Sequence, residues 1–540
     1  MKKRILFCSE ASYMATGYSI MYQNIIKDFW DSSKYEVAEH GAYGKITDHR
    51  AALVPWKFYA NGPTENQPQL TQEYNSKEAN KFGAWRFNQV ALDFRPDIVF
   101  SCRDIYMDTH ILYSPLAKYF HTIVAPPIDS HPQRDEFLEL YQLADSMLVQ
   151  TKYAEQVLLG AVPDIKHYGG IMSAGVDLNT FYPRNKALIR QKHGLNENLL
   201  IFGMVGRNQP RKLFPNLIEA FSIYLSQVDK ATALKSFLYL HTAYPDREGW
   251  NIPKIIKEFN VGHKILFSYE CSACKAKFPS IFSDSRIICK SCGQLSAKHP
   301  TPAGGYSRDD LAELYSMMDL YLQIANCEGL GITQLEAAAC GTHLASMDFG
   351  PMGEVVDNFG GFKIKPACVM RDMKNDSYRC CPDNADIARV MLEFAAGKRY
   401  DIDKQFEALK QLYNFRDVSA FIMRHIDGLQ LTKKWDAPYT PHNIPTSYPE
   451  NLSNVQFVDY LYNDILGEPA LRKTFTAFNI ERDLHYGVAI SDGTIKPISR
   501  ENLCKFFADL AQKKQYFESI RVGQQVLPQS DYLMFANRPR

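Results

Sequence analysis

Residues 327–341 read CEGLGITQLEAAACG, with Glu328 among glycines and Glu336 eight positions later in an alanine-rich run closed by Gly341. The preceding run DLYLQIA (319–325) predicts a buried strand, GLG a turn, and ITQLEAAAC a helix. Strand, glycine turn and helix in that order bring both carboxylates to the carboxyl edge of a parallel sheet, where open α/β sheets bind ligands. Gly329 and Gly331 let the backbone approach a ligand closely, and the unpaired N–H groups that open the helix favour an anion. Taken alone, Glu336 also fits a plain complement to the helix dipole, about 0.3–1 kcal/mol.

The same alternation extends in both directions. KRILFCSE, RPDIVFSC, HTIVAPPID and DSMLVQTK read as buried strands, and GYSIMYQNIIKDFW as an amphipathic helix opened by Gly17. After GVDLNTFYPRN the pattern restarts with LLIFGMVG, SFLYLHTA, HKILFSYE, DLYLQIA and THLASMDF. The fold class is therefore α/β: two Rossmann-like, doubly wound parallel-sheet domains facing a cleft. The expected boundaries are 1–185 for the first domain and 186–398 for the second, with 268–303 as an insertion carrying four cysteines. Helices at 399–432 are placed to cross back to the first domain. The Pro-, Thr- and Asn-rich stretch 433–450 reads as a linker and 451–540 as a small helical domain.

At 540 residues the chain is too long for one core. Its 46% hydrophobic and 22% charged residues are those of a globular protein, and a net charge of +1 supplies no global field for nucleic acid or anionic membrane. No apolar run approaches the ~20 residues that span a bilayer. MKKRILFCSEASYM imitates the basic start of a signal peptide, but its apolar run is too short, so a strand in a cytoplasmic protein is expected.

Twelve cysteines without a secretion signal favour thiolates on metal over disulfides. Cys271-x2-Cys274, fourteen residues, then Cys289-x2-Cys292 is a zinc-ribbon spacing, and four thiolates close a structural site. Lys275, Lys277, Arg286, Lys290 and Lys298 make this loop basic, which suits either phosphate contacts or a solvated face.

In the second domain GRNQPRK (206–212) follows a strand and precedes a helix, so Arg207 and Lys212 leave the sheet at its ligand edge. An Arg fork and a Lys point charge suit a pyrophosphate, and a basic loop paired with surface carboxylates is the alternative. Glu328 could then accept from sugar hydroxyls and Glu336 from a ribose diol. The order and context of ATGYS (15–19), PIDSHP (127–132), ADSMLVQTKYAEQVL (144–158), GVDLNTFYP (175–183), GRNQPRK and EGLGITQLEAAACG resemble the retaining glycosyltransferases of family 4 type, with the GT-B fold, across about residues 1–430. The zinc-ribbon insertion departs from that pattern.

The resemblance implies a hexosyltransferase that moves a sugar from a nucleoside-diphosphate sugar, such as a UDP-sugar, to a hydroxyl acceptor with retained anomeric configuration. Arg207 and Lys212 would bind the donor pyrophosphate, Gly17 would approach it from the first domain, and Gly329 and Gly331 would line it. Glu328 would contact the donor sugar and Glu336 the ribose. Asp129 and His131 fall where the family places polar groups near the reacting sugar. The expected acceptor is a glycan, a protein or a hydroxymethylated base in DNA. A sugar-nucleotide epimerase or phosphorylase-like protein on the same fold, and a nucleic-acid-binding protein that uses the ribbon, are the rival readings. Structural zinc is expected and a catalytic metal is not, because Asp401 and Asp403 in DID read as helix-starting acids.

Overall fold

The structure, a computed structural model, describes residues 2–14, 16–163, 165, 167–301, 306–373, 375–439, 441–445, 447–489, 494–525 and 535–536. In the first lobe β1 (Arg4–Glu10), β2 (Glu36–Lys45), β3 (Lys57–Gly62), β4 (Ile98–Ser101), β5 (His121–Val124), β6 (Ser146–Val149) and β7 (Tyr168–Ile171) lie in the order 3-2-1-4-5-6-7. All neighbours among them are parallel. β4, β5 and β6 are buried along their whole length, as a sheet covered on both faces requires.

The second lobe holds β8 (Leu200–Val205), β9 (Ser236–His241), β10 (Ile265–Cys271), β11 (Lys277–Ile281), β12 (Ile287–Ile288), β13 (Leu295–Lys298), β14 (Leu320–Gln323), β15 (His343–Met347) and β16 (Phe362–Ile364). Its parallel core runs 10-9-8-14-15-16. Strand order reverses between β1 and β4 in one sheet and between β8 and β14 in the other. A crevice opens beyond the strand ends at each reversal, and the two crevices face each other.

The cysteine insertion grows out of the second sheet. β11 and β13 both pair antiparallel with β10, and β12 pairs with β13. A hairpin follows β16, formed by β17 (Pro366–Asp372) and β18 (Ser377–Pro382).

Asp401 caps the helix Ile402–Leu412, its side chain accepting from the Asp403 N–H, so the DID acids start a helix. The next helix, Phe415–Gly428, lies against the first lobe. Lys3 Nζ donates to the Ile426 carbonyl at 2.6 Å and the Tyr35 hydroxyl donates to Asp427 at 2.9 Å. Gly175 is obligatory at this junction, because a Cβ there would sit 2.3 Å from the Phe415 Cα.

Beyond it the chain is fastened down. Trp435 Nε1 donates to the Pro96 carbonyl at 2.7 Å. The long helix Arg500–Arg521 docks through buried Glu518, which accepts from the Tyr119 hydroxyl at 2.6 Å. Among the described residues no helix is long and apolar enough to cross a membrane.

Candidate functional site

The loop after β8 and the segment after β14 are stitched together at the reversal point of the second sheet. Asn326 N donates to the Arg211 carbonyl at 3.0 Å and Leu213 N to the Ile324 carbonyl at 3.3 Å. This register brings Lys212 and Glu328 into a buried ion pair, and Arg211 Nη1 joins the same carboxylate oxygen at 2.6 Å. Burial alone would push the Glu328 carboxyl up, but the charges of Arg211 and then Lys212 outweigh it and hold the group down at about 2. Burial lowers the Lys212 ammonium, against the pull of Glu328.

Arg211 was not singled out in the sequence, although its place beside Lys212 was the available signal. Arg207 stands apart, half-exposed, with Nε 3.4 Å from Asp246. Its charge acts on Glu10 of the first lobe, after that of Arg103.

Gly331 has φ +80°, a left-handed turn that suits glycine, and leads into the helix Ile332–Ala339. The close approach of Gly329 is to the other lobe: a Cβ there would lie 2.5 Å from the Pro127 Cβ. Glu336 is buried on this helix and accepts from the Tyr315 hydroxyl at 2.9 Å. Burial pushes its carboxyl up to about 7, with the Tyr315 hydrogen bond opposing. Both glutamates act on the buried Tyr321 hydroxyl, which donates to the Val205 carbonyl at 3.1 Å.

In the first lobe Gly17 opens the helix Gly17–Asp31, capped by Thr16, whose hydroxyl donates to Glu10. A Cβ on Gly17 would meet no atom within 4 Å, so the helix start faces open space. Asp129 Oδ2 lies 2.9 Å from Nη1 of Arg379 on β18, another residue the sequence did not flag. His131 is exposed, with Nδ1 3.0 Å from the Tyr153 hydroxyl and its carbonyl accepting from Tyr378 N at 2.8 Å. Asp129 and His131 therefore meet the β17–β18 hairpin and form a clasp between the lobes.

The four cysteines of the insertion converge. Cys271 and Cys292 sulfurs are 3.7 Å apart, Cys274 and Cys289 sulfurs 3.6 Å, and all four lie within 4.8 Å of one another. A tetrahedral Zn–S4 centre with bonds of about 2.3 Å needs sulfurs roughly 3.8 Å apart. The cluster can hold such an ion.

The description Glycosyl transferases group 1 matches residues 293–374, the segment that carries Glu328 and Glu336. D-inositol 3-phosphate glycosyltransferase of Geodermatophilus obscurus is 25% identical over 285 residues, covering 50% of this chain and 54% of the relative. The chain thus spans about half the length of this curated relative. Sucrose-phosphate synthase from Thermosynechococcus elongatus superposes with a TM-score of 0.56 at 16% identity, over 79% of this chain and 98% of that one. Anabaena HepE in complex with UDP and glucose superposes with a TM-score of 0.54 at 14% identity, over 79% and 100%. The chain has the GT-B fold, and its second lobe carries a glycosyl transferases group 1 segment.

Proposed function

We propose that this chain transfers a hexose-like sugar from a nucleoside-diphosphate donor to a hydroxyl acceptor, with retention of anomeric configuration. The observation that carries the reading is the buried Lys212–Glu328 pair with partly exposed Arg211 on the same carboxylate, beside the Gly331 turn at the reversal point of the second sheet. Two cations on one carboxylate leave net positive charge, with Arg211 partly open to solvent, for a diphosphate to meet. Glu328 takes hydroxyls of the donor sugar, Glu336 takes the ribose, and Arg207 closes on the diphosphate. Gly17 and the open helix start admit it from the first lobe. The UDP and glucose held by HepE support a UDP-sugar as donor.

Chemistry of this kind depends on positioning and on stabilising the departing diphosphate, which these cations supply without a side-chain nucleophile. The four insertion cysteines hold a structural zinc. Its basic face is partly occupied within the protein: Lys277 pairs with Asp310 at 2.6 Å and Lys290 Nζ donates to the Pro279 carbonyl at 2.9 Å. That favours a stabilised insertion over a nucleic-acid face. The free cysteines support a reducing compartment such as the cytoplasm.

The test is incubation of the full chain with a panel of sugar nucleotides, scoring slow donor hydrolysis by mass spectrometry. One donor is hydrolysed, Lys212→Ala lowers that rate on the order of 10²- to 10³-fold, and Glu336→Ala weakens donor binding. A protein that neither binds nor hydrolyses any donor of the panel ends the reading.

A further inference from the structure

The two walls of the gap carry opposite charge. On the second lobe stand Arg207, Arg211 and Lys212. On the first, Glu10 ends β1 and Asp104 follows the end of β4 by three residues; Arg103 beneath them and Arg207 of the second lobe both act on Glu10, and Arg211 of the second lobe acts on Asp104. The hydroxyls of Tyr18 and Tyr106 lie beside Asp104, and Glu10 is close enough to act on both rings. The Tyr106 side chain is 48% exposed, with its ring 5.8 Å from Phe82 and stacked at 6.4 Å on Phe137.

Beneath this wall lies Arg103, fully buried and already committed. Its Nε donates to Asp108 at 2.7 Å and Nη1 to the Phe82 carbonyl at 2.8 Å. Arg103 Nη2, Asp108 Oδ2, His40 Nε2 and Ser9 Oγ are buried with no hydrogen-bond partner among the described residues. Buried polar atoms of native proteins find partners, so these atoms mark places for ordered water beneath the wall.

We infer that the first-lobe wall binds an uncharged polyhydroxyl acceptor, a saccharide or cyclitol without phosphate. This rests on the sugar-transfer reading and narrows its acceptor. Carboxylates accept from sugar hydroxyls, and an exposed tyrosine ring covers the apolar face of a pyranose. A phosphorylated acceptor would set its dianion against Glu10 and Asp104; Arg103 beneath them is buried and already paired with Asp108 at 2.7 Å, and Arg207, Arg211 and Lys212 stand on the second lobe, where the donor diphosphate is placed. The relative from Geodermatophilus obscurus is named for an inositol 3-phosphate acceptor, so the two acceptor preferences differ.

The test uses the full chain with UDP bound and saturation-transfer NMR. The probes are glucose, galactose, mannose, N-acetylglucosamine and myo-inositol, each beside its monophosphate. At least one uncharged probe binds, and its phosphate binds about ten-fold more weakly or worse. Tyr106→Ala weakens that binding, and the paired change Glu10→Gln with Asp104→Asn narrows the discrimination against phosphate, which a merely structural role would leave untouched. Equal or tighter binding of the phosphates overturns the inference, as does failure of every uncharged probe on protein that still binds UDP. Loss of UDP binding itself would count against the donor reading instead.

Discussion

Glu328 is the residue on which the second-lobe wall balances, because its buried carboxylate is shared by buried Lys212 and partly exposed Arg211. Replacing it by glutamine leaves Lys212 buried and unpaired, which costs about 3–5 kcal/mol for a buried pair broken on one side. The double change Glu328→Gln with Lys212→Met removes both ends and loses less than the sum of the two single changes. Denaturant midpoints of the four proteins check this, and strict additivity would refute the pairing.

The pair also has a pH signature. The carboxyl is held at about 2 against an ordinary 4.5, so the folded state binds fewer protons than the unfolded state between those values. Its stabilisation is therefore complete above pH 4.5 and disappears as pH falls towards 2, so wild type and Glu328→Gln converge in acid. That Lys212 and Glu328 each follow a strand of the second sheet was legible in the sequence. Arg211 was not legible, because nothing local separates it from Arg207 until the backbone bonds to Ile324 and Asn326 bring it beside Lys212 onto Glu328 and leave Arg207 with Asp246.

At the scale of elements, legibility followed apolar content. β1, β4, β8, β14 and β15 announce themselves as short β-rich runs. β2, EVAEHGAYGK, does not, because it buries Glu39 and His40 and contains two glycines. Glu39 is tolerated because Ser12 N and Oγ, both at 2.7 Å, and Trp56 Nε1 at 2.6 Å satisfy it. The glycines are needed, since Cβ atoms at Gly41 and Gly44 would press within 3 Å of Phe58 and Ala11. Such tertiary reasons leave no periodic trace.

The insertion is the reverse case, since its ligand spacing is local and readable. The sequence did not reveal that β11 and β13 extend β10 and so couple the ribbon to the second sheet. Zinc binding is folding energy for such small elements. The purified protein should hold one zinc per chain by elemental analysis, and chelation should expose amides of residues 272–298 and of β10 to hydrogen exchange while the first sheet stays protected. A reduced, folded preparation without zinc would remove the assignment.

For the whole molecule, the lobes join at two places of different character. One is a hinge: the chain passes from β7 to β8, and the helices after residue 399 return to the first lobe, pairing Val176 with Asn414. The other is the clasp across the gap, where Asp129 meets Arg379 at 2.9 Å and the Glu354 carboxylate accepts from Lys152 N at 3.1 Å and Tyr153 N at 2.8 Å. Nothing local in PIDSHP or SYRCC signals that pairing, because it exists only when the lobes are closed. A hinge without a clasp would let the gap open and separate the acidic wall from the basic one. Arg379→Ala should therefore enlarge the radius of gyration of the unliganded protein in solution scattering. It should also weaken donor binding by about 1 kcal/mol, near five-fold, because the clasp no longer holds the closed form that binds. The folding midpoint should move little, since each lobe keeps its own core. Unchanged scattering with unchanged donor affinity would show that the hinge alone holds the lobes together.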